Sequence, residues 1–297
     1  MAERTFEFSC PCCAIALSNQ LTCANCATVF EKREGIYRFL LPDRSAEIQP
    51  FLTQYRRVRE RDGYRSFTGA DYVNLPYVRP QGVMADVWRV RQQSYDHLVT
   101  LLDKHSRTIL DLGAGNGWLS HRLTKLGHRL AAVDWLDDEK DGLGAHRHYP
   151  VQFTCVQADF DMLPFATRQF DVVIFNASLH YGPDLTGSLS KAYKLVKPNG
   201  QIFLMDSPTF HSDRSGQIML KEQAERLRAD YDLQDVVQPG IGFLTDRIMN
   251  DVGKTLGIAF RFYRSFGAPL WAMKRWLSGV MRRREPAAFG VWAGRLI

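Results

Sequence analysis

The chain has 297 residues, with 38 Lys plus Arg against 32 Asp plus Glu, and a formal net charge of +6. Its 45% hydrophobic content and ordinary Gly and Pro usage exclude a disordered or collagen-like chain and suit one large α/β core with, at most, a small accessory module. No stretch reaches the ~18 uncharged apolar residues of a membrane span, and the first ten residues lack the apolar run of a secretory signal. The expectation is a cytoplasmic protein whose cysteines are reduced or metal-bound.

Five of the six cysteines lie in the first 26 residues. Cys10-Pro11-Cys12-Cys13 and Cys23-Ala24-Asn25-Cys26 form two CxxC knuckles, with Cys12 as the spare. Each knuckle places two thiolates on one tight turn, so Cys10, Cys13, Cys23 and Cys26 supply the four ligands of a structural Zn²⁺. Disulfides or unliganded thiols are the alternative. With Phe8, Leu17, Phe30 and the tail Glu34-Gly35-Ile36-Tyr37-Arg38-Phe39-Leu40-Leu41-Pro42, residues 5–43 resemble the small zinc ribbon that precedes many bacterial methyltransferase domains. Tyr37 stands where that ribbon usually has proline. A ribbon this short needs its metal to fold, which sets residues 1–43 as one unit.

Residues 44–106 read as a helical linker or cap. The stretch 44–83 lacks clean periodicity and carries Arg56, Arg57, Arg59, Arg61 and Arg65, whose ordinary reading is a solvated helix face. Met84–Lys104 reads as a helix with Trp88, Tyr95, Leu98, Val99 and Leu102 along one side. Arg91 and Tyr95 are candidates for contact with a bound cofactor, with core packing the alternative for Tyr95.

Residues 107–297 read as the main domain. Arg107–Leu112 is a buried strand, Gly113-Ala114-Gly115-Asn116-Gly117 a tight turn, Trp118–Leu126 a helix, and His128–Val133 a second strand ending at Asp134. A carboxylate at that distance beyond the glycines suits paired ribose hydroxyls. The spacing is GxGxG, with Trp118 where a dinucleotide fold would place its third glycine. Asp111 just before the turn suits a cationic amino group better than a phosphate. These features point to S-adenosylmethionine as cofactor, and Asp111–Gly117 resembles motif I of class I S-adenosylmethionine-dependent methyltransferases. Trp135 joins the cofactor set.

The resemblance continues through Ala158-Asp159-Phe160, Leu163-Pro164-Phe165, Phe170–Ala177 and the Lys197-Pro198-Asn199-Gly200 turn before the strand Gln201–Asp206, a block similar to methyltransferases of the type 11 kind. It implies a Rossmann-like, mostly parallel sheet whose last strand, within Ala288–Ile297, runs antiparallel between the strands 201–206 and 258–263. It also implies that Asp159 bonds the adenine amino group, that Phe160 packs on the ring, and that Asn176 faces cofactor or acceptor. Helical segments within 208–285 form a substrate-side insertion. The loop Asp137–Tyr149 has four acids and two histidines; an exposed polar loop is the ordinary reading, with a metal site or closure over the cofactor as alternatives.

Methyl transfer needs alignment of nucleophile, methyl and sulfur, and a base only where the acceptor loses a proton. His180 and Asp206, at the carboxyl ends of two strands, are the candidate catalytic residues, with positioning the alternative for His180; Tyr181 is a candidate pocket wall. A small or lipid-like acceptor ranks first. RNA is the alternative, weakened by the absence of an Asn-Pro-Pro-Tyr-type tetrad, and a non-catalytic scaffold is the third. Residues 261–285 hold seven basic side chains against Glu285 alone, so the whole net charge is local. The helix read over 269–284 is a candidate contact for an anionic membrane surface or RNA.

Overall fold

A computed structural model describes residues 6–78, 83–233, 235–269, 273, 277, 279, 281 and 283–296. The chain opens with the two cysteine knuckles. Each closes the same way: Ala14 N–H bonds to the Cys10 carbonyl at 2.8 Å and Ala27 N–H to that of Cys23 at 3.0 Å, both alanines at left-handed φ. A hairpin follows, β1 (Glu31–Arg33) and β2 (Ile36–Arg38).

Next come α1 (Pro42–Arg61), α2 (Gly69–Asn74) and α3 (Val83–Leu101). Pro42 sits in the first turn of α1, where its missing N–H costs nothing. No helical period is legible here because the inward stripe runs Phe51, Leu52, Tyr55 and then Arg59, a charge standing in an apolar position. α3 ends before Lys104: the Asp103 side chain accepts from His105 N–H at 3.2 Å and from Arg107 Nε at 2.9 Å, diverting the backbone from the helix.

The core units follow: β3 (Thr108–Leu112), α4 (Trp118–Lys125), β4 (Arg129–Asp134), β5 (Thr154–Gln157), β6 (Phe170–Asn176), α5 (Leu185–Tyr193) and β7 (Val196–Met205). The Lys197–Gly200 turn lies within β7. There the register to β6 shifts between Phe170 and Val172, with Asn199 at φ 63°, so the turn is a bulge in one strand. β8 (Thr209–Phe210) and β9 (Leu244–Thr245) pair apart from the main sheet around α6 (Asp213–Tyr231); α7 (Asp246–Leu256), β10 (Ile258–Ser265) and β11 (Phe289–Leu296) complete the chain. The helix read over 269–284 falls largely outside the described residues. Among the described residues no helix is long and apolar enough to cross a membrane.

One nine-stranded sheet runs β1-β2-β5-β4-β3-β6-β7-β11-β10. β3 through β7 are parallel, and β11 is antiparallel to both β7 and β10, as the resemblance implies. The ribbon hairpin is part of this sheet: β2 pairs in parallel with β5, Ile36 opposite Cys155 and Arg38 opposite Gln157. Phe6, Phe8, Phe39, Phe165 and Phe170 seal the junction, with Phe6 and Phe170 stacked at 5.4 Å and the tilted rings of Phe8 and Phe39 5.0 Å apart. The boundary at residue 43 therefore separates no two sheets.

Candidate active site and metal centre

A cavity of about 310 Å³ opens at the carboxyl ends of β3, β4, β6 and β7. This is where an open α/β sheet binds its ligands. The glycine turn forms its floor. Gly113 has φ 72°, and a Cβ there would lie 2.1 Å from that of Ser178, whose hydroxyl donates to the Leu112 carbonyl at 2.7 Å. Gly115 has open space in front of it, its nearest neighbour being the Asp141 carbonyl at 3.8 Å, so ligand can meet backbone there.

Asp134 lies in the cavity wall at the tip of β4. Its Oδ2 accepts from Gly115 N–H and its Oδ1 from Leu136 N–H, both at 2.8 Å, which locks the carboxylate against the turn. Burial raises its pKa to about 6, against the two N–H groups that lower it. Beside it Trp135 and Phe160 stack, centroids 5.3 Å apart and 15° from parallel. Ala114, Asn116 and Asn176 also line the cavity.

Asp111, Gly117 and Asp159 do not line the cavity. Asp111 lies buried beneath it, accepting from Ser120 Oγ at 2.8 Å with Oδ1 unpartnered; burial raises its pKa to about 7. Gly117 caps α4 at φ 80°, with the Phe153 ring where a side chain would go. Asp159 pairs with Arg44 of α1 and accepts from Asp161 N–H at 2.8 Å, so the carboxylate expected at the adenine edge is occupied by the cap.

His180 and Asp206 both line the far end. His180 Nδ1 lies 3.0 Å from Ser207 Oγ, and burial lowers its pKa to about 4, so the ring is neutral near pH 7. Asp206 accepts from Ser94 Oγ at 2.5 Å, its Oδ2 has no partner, and burial raises its pKa to about 6. Tyr181 lines the same end, its ring 5.4 Å from Phe51 and 6.2 Å from Tyr55. Arg91 is in the wall, with its guanidinium 4.8 Å from the Trp88 ring; Tyr95 instead packs on Trp118 at 6.1 Å.

The sequence missed the roof. Phe51, Leu52, Tyr55 and Arg59 of α1, with Tyr64, close the cavity from above. Arg59 makes a two-pronged pair with Asp141, at 2.6 and 2.5 Å, and lies 3.3 Å over the Tyr64 ring. This corrects two readings. The arginine run is only partly a solvated face: Arg57 and Arg61 are exposed, but Arg59 and Arg65 pair inward with Asp141 and Asp138. Nor is 137–149 simply an exposed loop: residues 141–145 are buried, and Asp137 and Glu139 pair with Arg38 and Arg147. Opposite charges some 80 residues apart leave no mark in a local pattern. Among the described residues the Cys cluster is the one grouping whose ligand atoms are placed for a metal.

The Cys10, Cys13, Cys23 and Cys26 sulfurs all lie within 4.8 Å of one another, and those of Cys10 and Cys26 are 3.7 Å apart. A tetrahedral Zn²⁺ with ~2.3 Å Zn–S bonds needs sulfurs about 3.8 Å apart. The residues therefore fit the ion. Cys12 is exposed and outside the group. Asn25 Nδ2 donates to Cys13 Sγ at 3.3 Å, and Thr28 Oγ1 lies 3.2 Å from Cys26 Sγ.

The central segment is similar to known proteins. Residues 110–204 match the methyltransferase domain family. Malonyl-[acyl-carrier protein] O-methyltransferase of Salmonella typhimurium strain LT2 is 30% identical over 118 residues, covering 38% of this chain and 44% of that protein. The human mitochondrial arginine-hydroxylase NDUFAF5 is 26% identical over 171 residues, covering 58% of this chain and 45% of that protein. The chain thus spans less than half the length of either relative. Among solved structures, magnesium protoporphyrin IX methyltransferase of Synechocystis with bound S-adenosylhomocysteine superposes with a TM-score of 0.50 at 17% identity, covering 81% of this chain and all of that one. At that identity the likeness is one of fold.

Proposed function

We propose that the protein is an S-adenosylmethionine-dependent methyltransferase acting on a small-molecule acceptor. The observation that carries this reading is one continuous cavity with the locked Asp134 carboxylate at one end and the His180 and Asp206 side chains at the other. The residues present fit the cofactor. Asp134 accepts from the ribose hydroxyls, the Trp135–Phe160 stack takes the adenine, and the unpartnered Asp111 oxygen favours the amino group beyond the turn. When bound, S-adenosylmethionine supplies an electrophilic methyl group on a sulfonium.

The chain's part is to orient the acceptor and take its proton. At neutral pH Asp206 is ionised, with one oxygen held by Ser94 and the other without a partner, so it is the proton acceptor for an O–H or N–H nucleophile. His180 is a weak base at a pKa of about 4, and its bond to Ser207 gives it a positioning role. Phe51, Tyr55, Tyr64 and Tyr181 wall the acceptor end, which favours a small, partly apolar molecule. A relative named malonyl-[acyl-carrier protein] O-methyltransferase supports methyl transfer to an acyl-type acceptor. Cys10, Cys13, Cys23 and Cys26, as thiolates, would hold a structural Zn²⁺ that fixes the ribbon.

Calorimetry with S-adenosylhomocysteine tests the reading. Wild type binds, and Asp134→Ala weakens binding about 10-fold or more, the scale of a lost charged hydrogen bond. Absence of wild-type binding would overturn it. Binding without transfer to any acceptor would point instead to other chemistry on this fold, as the hydroxylase relative's name illustrates.

A further inference from the structure

We infer that Arg38, in the ribbon hairpin, is a positioning residue of the cofactor site and not a strut of the metal module; the inference rests on the S-adenosylmethionine reading above. β2 carries Arg38 opposite Gln157 of β5, and Gln157 in turn lies opposite Asp134 of β4. Arg38 is thus two strands from the ribose-binding carboxylate, on the same rung of the sheet. One nitrogen of its guanidinium, Nη1, donates to Asp137 Oδ2 at 2.5 Å and to Gln157 Oε1 at 2.9 Å. Gln157 Nε2 then donates to the Trp135 carbonyl at 2.9 Å. The turn Asp134-Trp135-Leu136 is gripped on both sides: through Gln157 at the Trp135 carbonyl, and through Asp137 immediately after Leu136.

That turn is the part of the cavity that needs fixing. Asp134 presents the carboxylate, Leu136 N–H holds its Oδ1, and the Trp135 ring stacks on Phe160. The Arg38 side chain is 11% exposed, so its bonds are poorly screened by solvent. Phe39 N–H, bonded to the Gln157 carbonyl at 2.8 Å, fixes the strand that delivers it. Arg33, on the same hairpin, is exposed and pairs with exposed Glu31 at 3.5 Å, its one ion pair among the described residues, which makes it the internal control.

The experiment is calorimetric titration of the full chain, with its metal, using S-adenosylhomocysteine, alongside thermal melting. Arg38→Gln should weaken binding about 10-fold, Arg38→Lys, which keeps a charged donor, about 3-fold, and Arg33→Gln not at all. Asp137→Ala cuts the same contact from the loop side and should resemble Arg38→Gln, which keeps the test open where the arginine variant fails to fold. In an Asp134→Ala background Arg38→Gln should add little, because the two act through one turn. Melting shifts with affinity unchanged within twofold, or full additivity with Asp134→Ala, would overturn the inference. A wild type that binds no S-adenosylhomocysteine would overturn the methyltransferase reading itself, and this inference with it.

Discussion

Asp134 and Asp111 are carboxylates kept in protein interior, and burial is the largest influence on both: it raises Asp134 from 3.8 to about 6 and Asp111 to about 7. The sign of the effect follows. In the ligand-free chain the folded state holds these protons longer than the unfolded chain does, so stability falls as pH rises from about 4 through those values. A ligand offering hydroxyl donors and an ammonium prefers the ionised carboxylates and regains that loss. The Asp134 contribution alone should lower S-adenosylhomocysteine affinity about 10-fold for each pH unit below about 6. Titrations at pH 7.5, 6 and 5 measure it, and Asp134→Asn should flatten the profile. At the other end, Asp206→Asn should lower kcat about 100-fold, the usual yield of general-base catalysis, while leaving cofactor affinity within twofold. A larger loss from His180→Ala than from Asp206→Asn would reverse the two roles.

At the scale of elements, α1 decides how closed the site is. Its apolar stripe packs Phe51 against Trp135 and Tyr181, and it is tied to the cofactor loops at both ends, by Arg44 to Asp159 and by Arg59 to Asp141. The Asp141 side chain is only 2% exposed, so Asp141→Ala leaves a cation without its counter-charge and should cost about 3 kcal/mol of stability; adding Arg59→Met should restore much of it. Denaturant melts of the single and double variants measure this, and an additive double variant would contradict it. The same helix shows what a sequence withholds. The strands from 107 to 206 are legible because parallel strands buried on both faces read as apolar runs between turn residues, and the GxGxG turn with the strand ending at Asp134 marks the cofactor end. α1 is held by ion pairs to residues about 80 to 115 positions away, which no local period reveals. Asp159 was legible as an acid after a strand, but not as Arg44's partner.

For the whole molecule, the consequence of one sheet is that metal module and catalytic domain stand or fall together. β1 and β2 extend the edge at β5, and the phenylalanines of residues 6–39 pack on 165 and 170. Purified protein should hold close to one zinc per chain. Its removal by a chelator should lower the main unfolding transition and weaken S-adenosylhomocysteine binding, where a separately hinged ribbon would melt alone and leave binding untouched. The net charge reads differently at this scale too: the arginines of 38–65 are largely consumed by acids of the cofactor loops, and the surplus lies in 261–285. The most direct measurement is transfer of tritiated methyl from S-adenosylmethionine into fractionated cell extract. The account predicts label in the small-molecule fraction, abolished by Asp134→Ala and strongly reduced by Asp206→Asn. Label confined to RNA, or no label with any fraction, would contradict it.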